Sequence, residues 1–431
     1  MRRDRVHGSP RQGLSTATLG FFVGFAGVVL FGPVAEEFET AMGLSGLLLG
    51  LLAGSPQLFG SLLRVPFGAW VEDVGARKPF LVLLGLSVVG MAGLAVTLVL
   101  AYPDDLGMRH YPLVFLFGAL SGCGIATFSV GIAQTSYWYP AEKQGSALAL
   151  YAGLSNSSPG IFTLLLPIAL VALGLTGAYL AWLAFLVVGT IVYAALAVDA
   201  PSFQLEKRGV DPNEAERLAR SHGQELFPTG NATESIREAA GDARTWALVA
   251  LYFTSFGGFL ALTVWLPSYW TSLHGLDLRT AGALTAIAFT LFATFVRIPG
   301  GLVSDRVGGE RTAIASFLAV GLGSVVLVLT RDVAVALLAT MVLGGGMGVA
   351  NAAVFQLVPT YVPKAVGGAS GLVGGLGAFG GFVVPPILGG FVDVYGVSGY
   401  ATGFVVYVGL SIAAIVLSGL LYRGRSAVSP G

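Results

Sequence analysis

Two arginines carry the chemistry that this sequence offers. Arg64 and Arg297 each stand deep inside a long apolar run. Each opens the same phrase, Arg64-Val-Pro-Phe-Gly68 and Arg297-Ile-Pro-Gly-Gly301. An acid follows eight residues later, Glu72 or Asp305, and a glycine three further on, Gly75 or Gly308. A cation in hydrocarbon is costly, so its default reading is functional. Two cations at matching places in two halves of a chain point to one anion site on a pseudo-twofold axis. Guanidinium is planar, permanently charged and offers paired N–H donors, so it matches a flat oxyanion better than lysine does.

The surroundings agree with a cavity wall. At three- and four-residue spacing Arg64 shares its helix face with Gln57, Ser61 and Gly68, and Arg297 with Thr290, Ala293, Thr294, Gly301 and Ser304. Both stripes are small or polar, while the other faces are Leu, Val, Phe and Ile. Eight residues of helix span about 12 Å, and half a hydrocarbon core is about 15 Å. With Glu72 and Asp305 at the membrane boundary, both arginines lie near the midplane.

Composition says what must hold them. The chain has 431 residues, 55% hydrophobic and 11% charged, where soluble domains are about a quarter charged. Such a chain is a polytopic membrane protein. Twelve apolar runs are long enough to span: 14–36, 45–71, 79–101, 111–138, 144–172, 176–197, 245–272, 279–303, 312–330, 332–359, 366–390 and 399–422. The expected fold is all-α, with twelve transmembrane helices in two pseudo-symmetric six-helix bundles, 1–197 and 245–431. A polar linker, 198–244, joins them, and Ser235 to Glu238 within it has capping-box spacing. The linker also holds the sequon Asn231-Ala-Thr233. With both termini inside, Arg2, Arg3, Arg5, Arg11, Arg77, Lys78, Lys143, Arg306, Arg311, Lys364, Arg423, Arg425 and the basic residues of the linker face the cytoplasm. Only Arg109, Arg279 and Arg331 face out, which sets the orientation. The expected location is the cell inner (plasma) membrane. The first span is too long for a signal peptide and is read as retained.

Several functions are excluded on composition. The single Cys123 allows no internal disulfide and no cysteine metal cluster, and the four histidines fall in loops or tails. No metal site and no cofactor is implied. Net charge is zero with no basic stripe, which argues against nucleic acid. No nucleophile–base constellation points to an enzyme, and no loop is large enough for a soluble catalytic domain.

The paired phrases also carry a resemblance. Gly301, Asp305, Arg306, Gly308 and Arg311 resemble the cytoplasmic loop signature of the major facilitator superfamily, and Gly68, Glu72, Gly75, Arg77 and Lys78 resemble a degenerate copy. Other stretches resemble the nitrate/nitrite porter family within it. They are Ala152-Gly153-Leu-Ser155-Asn156-Ser157-Ser158-Pro159-Gly160, Gly371-Leu-Val-Gly374-Gly375-Leu-Gly377-Ala378-Phe-Gly380-Gly381, Asn351 to Pro359, and Leu251-Tyr252-Phe-Thr-Ser-Phe-Gly257. That resemblance implies a secondary carrier of nitrate and nitrite working by alternating access. Arg64 and Arg297 would hold the anion, Phe128 would stack on it, and Tyr252, Asn156 and Asn351 would complete the site. Glu72, Asp305, Arg77 and Arg306 would act at the cytoplasmic gate. Gly153, Gly160, Gly375, Gly377, Gly380 and Gly381 would let helices slide. A monomer in the lipid bilayer is expected.

Coupling is constrained by what the spans lack. No Asp, Glu or His lies at a span centre, and arginine does not deprotonate. An empty site with two uncompensated cations should cross the membrane slowly, which favours nitrate/nitrite antiport. Nitrate/proton symport stays open, because a proton could travel with substrate or water. So does another small anion such as formate or oxalate.

Overall fold

A computed structural model describes residues 6–228, 230 and 232–428, with side chains described as far as residue 423. Arg2, Arg3 and Arg5, the Asn231 sequon and the side chain of Arg425 lie outside the described residues. The described residues form helices joined by short turns, with no strand among them. Eleven stretches are long and apolar enough to cross a membrane. One of these, Ala141–Leu196, covers 56 residues. A straight helix of that length would run about 84 Å, against a hydrocarbon core of about 30 Å. Gly174 breaks it, with φ 68° and ψ 173°. Only glycine adopts that conformation cheaply, so the stretch is two spans and the described residues make twelve crossings.

Span 1 is Pro10–Met42, span 2 Gly46–Val74, span 3 Arg77–Ala101 and span 4 Met108–Trp138. Spans 5 and 6 flank Gly174. Span 7 is Ala243–Leu273, span 8 Leu278–Val307, span 9 Gly309–Leu329 and span 10 Val333–Tyr361. Span 11 joins Val366–Ala378 to Gly380–Tyr395, and span 12 begins at Val405. An even number of crossings brings both termini to one end, the terminal end. Outer faces stay apolar and exposed, as at Val89, Leu100, Ile191, Leu329 and Leu338. Lipid is the solvent for such faces.

The linker folds onto the terminal end as three helices, Pro201–Glu206, Pro212–Ser221 and Ala232–Gly241. The capping role expected of Ser235 is not what it does. The helix has already begun at Ala232, so Ser235 sits inside it and its Oγ accepts the Gly368 N–H at 3.0 Å. The linker is thereby pinned to the start of span 11.

The two halves meet tightly at the opposite end. Spans 2 and 11 run antiparallel with glycines at the crossing. A Cβ on Gly46 would strike the Gly389 carbonyl, and one on Gly50 would strike the backbone of Pro385. A Cβ on Gly54 would lie 3.0 Å from the Phe382 oxygen. Small residues permit this approach where lipid offers no hydrophobic drive between helices. A second contact joins Gly32 of span 1 to Val264 of span 7, and a third joins Gly282 of span 8 to Thr163 and Pro167 of span 5. Toward the terminal end, Gly145, Gly153 and Gly371 have nothing within 4 Å of their missing side chains. At these three crossings the halves are closed against one another at the opposite end.

One acid fastens the closed end. Asp393 of span 11 accepts the backbone N–H of Gly46 at 2.6 Å and of Leu47 at 2.9 Å. These are orphan donors at the start of span 2, where negative charge is stabilising. Asp393→Ala should cost about 1–2 kcal/mol, read as a lower thermal unfolding midpoint in detergent. An unchanged midpoint would show that the carboxylate adds nothing to closure.

Candidate functional site

Span 2 carries Arg64 just past a local break. Pro56 lies inside the first segment, Gly46–Leu62, and a second helix begins at Arg64. Gln57, Gly60, Ser61 and Arg64 are all buried on one face. Arg64 is 1% exposed. Its Nε donates to Gly60 O at 3.2 Å and its Nη1 to Gly374 O of span 11 at 3.0 Å. The other half of the molecule thus supplies one of its two acceptors.

Aromatic faces supply the rest. The guanidinium carbon lies 4.9 Å from the centroid of Phe128 and 5.4 Å from that of Phe256. The negative face of a ring attracts a cation, most strongly when both are dry. Phe128 leans on Phe21 at 5.2 Å and stacks on Tyr151 at 6.3 Å. Tyr151 in turn donates to Phe128 O at 2.9 Å, so the ring is held from behind. Phe256 stacks on Tyr252 at 5.1 Å, and Tyr252 meets Phe355 edge-on at 5.1 Å. A π-helical turn, Phe253–Gly257, lies between Tyr252 and the rest of span 7. Such turns re-aim side chains and recur at functional sites.

What these groups lack is a counterion. Among the described residues Arg64 is in no ion pair, and its Nη2 has no hydrogen-bond partner. The Tyr252 hydroxyl, Ser61 Oγ, Ser255 Oγ, Gln57 Oε1, Asn156 Oδ1 and Asn351 Oδ1 are also buried without partners. Buried polar atoms are normally satisfied, so the unbonded donors, Arg64 Nη2 and the Tyr252 hydroxyl, need a cause. An anion with several acceptor oxygens would satisfy the guanidinium and the hydroxyls together.

Arg297 stands differently. It is half-buried and makes no hydrogen bond or ion pair among the described residues. Its helix face is nonetheless the inward one. Ala293, Thr294, Gly300 and Ser304 share that face and are buried, while Phe295, Ile298 and Leu302 point outward and are exposed. One turn away, Thr294 Oγ1 reaches the Asn156 carbonyl at 3.4 Å, joining span 8 to span 5. Asn156 Nδ2 donates to Ala152 O at 2.7 Å, so one of its amide hydrogens is already engaged.

The glycines divide. Gly375 lies against Val65, Gly377 against Tyr252, Gly380 against Phe253 and Gly257, Gly381 against Gln57 and Leu260, and Gly160 against Leu291. Gly153 faces open space. At the terminal end, Arg77 and Asp305 of the expected gate have tertiary partners. Arg77 takes Asp199 through its backbone N–H at 2.8 Å and donates its guanidinium to Ala194 O at 2.7 Å. Asp305 accepts Gln356 of span 10. Arg306 is exposed.

Sequence reasoning missed Phe256, Tyr151, Ser61 as an orphan hydroxyl, Gly374 as an acceptor, and Asp199 and Gln356. Phe256 had a signal, since it follows Tyr252 by one helical turn. The carbonyl of Gly374 had none.

Comparison with known proteins places this architecture. The Major Facilitator Superfamily family model matches residues 17–385 and 277–431. A probable nitrate/nitrite antiporter of Thermus thermophilus is 30% identical over 397 residues, covering 86% of this chain and 83% of that one. The chain belongs to the nitrate/nitrite porter family of the major facilitator superfamily. As a member of that superfamily it is a membrane transporter. A nitrite extrusion protein of Bacillus subtilis strain 168 is 27% identical to this porter, covering 94% and 92% of the two chains. A D-xylose-proton symporter crystal structure superposes on the porter with a TM-score of 0.73 at 14% identity, covering 96% and 98%. A partially occluded, inward-open xylose transporter from E. coli gives a TM-score of 0.71 at 15% identity, covering 96% and 97%. These structures share the fold of two six-helix halves.

Proposed function

We propose that the porter exchanges nitrate and nitrite across the membrane, with the anion held between Arg64 and Arg297 at the junction of the two halves. The observation that carries the reading is the buried Arg64 guanidinium, in no ion pair and with Nη2 unbonded. Relatives named for nitrate and nitrite transport support the substrate class. The anion's oxygens would take Nη2 of Arg64, the fork of Arg297 and the Tyr252 hydroxyl, with Phe128 and Phe256 as flat walls. Charge-assisted bonds of this kind are about twice as strong as neutral ones.

Exchange follows from the electrostatics. On this reading the site without substrate would hold two permanent cations, and neither can lose a proton. A bound anion removes that repulsion and lets the halves rock. With both termini cytoplasmic, as the positive-inside asymmetry supports, the glycine-closed end would face outward.

Proteoliposome counterflow tests the mechanism. Nitrate uptake should require internal nitrate or nitrite and should persist when the pH gradient is collapsed. Uptake into empty liposomes, driven by a pH gradient, would reject exchange in favour of proton symport. Saturation by formate or oxalate in preference to nitrate would reject the substrate.

A further inference from the structure

A cavity of about 330 Å³ opens at the terminal end, lined by Arg77, Lys78, Leu81, Val82, Asp199 and Lys207. It is remote from the anion site. Its floor is Asp199, whose side chain is 6% exposed. Asp199 Oδ1 accepts the Arg77 backbone N–H at 2.8 Å, and Oδ2 accepts Lys207 Nζ at 2.6 Å. Gly75, at φ 76°, lies directly beneath, where a Cβ would come 2.6 Å from Asp199 Oδ1. Lys78 Nζ is poised 5.4 Å from the Trp70 ring centroid.

Charge is left over. Three cations face one carboxylate. An ammonium has three donors and a guanidinium five, and the bonds above use only a few of them. The cavity is therefore built, rigid at its floor and net positive at its mouth. Its other wall is apolar. Val82 begins an exposed row with Val89 and Val96, at seven-residue spacing along the outside of span 3. A soluble anion has no use for such a row, whereas a ligand with an anionic head and an apolar tail uses both.

We propose that this cavity holds the phosphate headgroup of an anionic phospholipid, with an acyl chain lying along Val82, Val89 and Val96. Basic pockets between spans on the cytoplasmic side favour such headgroups, and the positive-inside asymmetry assigns the terminal end to that side. The headgroup bridges Lys78 of span 3 and Lys207 of the linker, over the Asp199 that already ties the linker to the Arg77 N–H of span 3.

The test uses the full chain, delipidated in detergent and titrated with phosphatidylglycerol or with phosphatidylcholine of the same chains. Bound lipid is counted by native mass spectrometry, with thermal shift alongside. Phosphatidylglycerol should bind about tenfold more tightly. The double substitution Lys78→Gln with Lys207→Gln should bring it down to the phosphatidylcholine level, and Lys78→Arg with Lys207→Arg should retain it. Equal retention of phosphatidylglycerol by the glutamine pair would overturn the proposal. Displacement by equimolar inorganic phosphate would do the same, in favour of a soluble anion. The competition arm needs only the unsubstituted chain, so a misfolded variant leaves it intact.

Discussion

Nitrate and nitrite are expected to bind Arg64→Lys and Arg297→Lys roughly 30- to 150-fold more weakly than the unsubstituted porter, a loss of about 2–3 kcal/mol each. Lysine keeps the charge, so the loss isolates geometry. Arg64 is anchored through Nε to Gly60 O and through Nη1 to Gly374 O, which leaves Nη2 aimed and free. A single ammonium cannot hold two carbonyls in that arrangement and still present a planar donor to a flat anion. The cation also loses the delocalised face it presents to Phe128 and Phe256. Titration calorimetry on purified protein measures the effect, with unfolding midpoints as a control for damage. Unchanged affinity in both variants would remove planar recognition from the account. Loss in Arg64→Lys alone would leave Arg297, which makes no hydrogen bond among the described residues, outside the site.

Gly50→Val should abolish the closed arrangement of the opposite end. A Cβ on Gly50 meets the backbone of Pro385 and Pro386, which cannot swing aside as a side chain would. Overpacking of this kind costs about 1–3 kcal/mol, enough to move a two-state balance roughly 5- to 150-fold. Because spans 2 and 11 belong to different halves, the strain falls on the closed state and spares each half. Exchange should slow at least about fivefold on the same arithmetic. A cysteine at Ala53, buried at 2% exposure on the same span, should become open to a maleimide from that side, in a Cys123→Ser background. Unaltered labelling and exchange would mean that the glycine crossing does not govern access.

Much of this was readable along the chain because the signals are local. Twelve crossings follow from hydropathy and length, and even the sharp turn at Gly174 falls between two apolar runs, 144–172 and 176–197. Arg64 and Arg297 announced themselves by residue type alone, since a guanidinium inside an apolar run is conspicuous whatever surrounds it. The inward face of Arg297 could be drawn from the spacing of Thr294, Gly301 and Ser304. The gate residues were legible as charges near the membrane boundary but not as pairs. Arg77 gives its backbone N–H to Asp199, 122 residues away, and its guanidinium to Ala194 O. Ser235 looked like a cap and proved to be a tether to Gly368.

By itself, then, the sequence determined the crossings, the doubled arginine phrase and the chemistry a buried guanidinium can do. Those depend on each residue's own solvation and on neighbours a few positions along. Tertiary structure alone decided that Gly374, 310 residues from Arg64, would receive its Nη1. It alone decided that Phe128 and Phe256 would both meet the cation, and that spans 2 and 11 would be shut at the Asp393 end. The physical reason is that hydropathy is nearly the same whichever end is closed. Packing of backbone against backbone at glycine, and one carboxylate on a helix start, tip a balance of a few kcal/mol that no local pattern encodes.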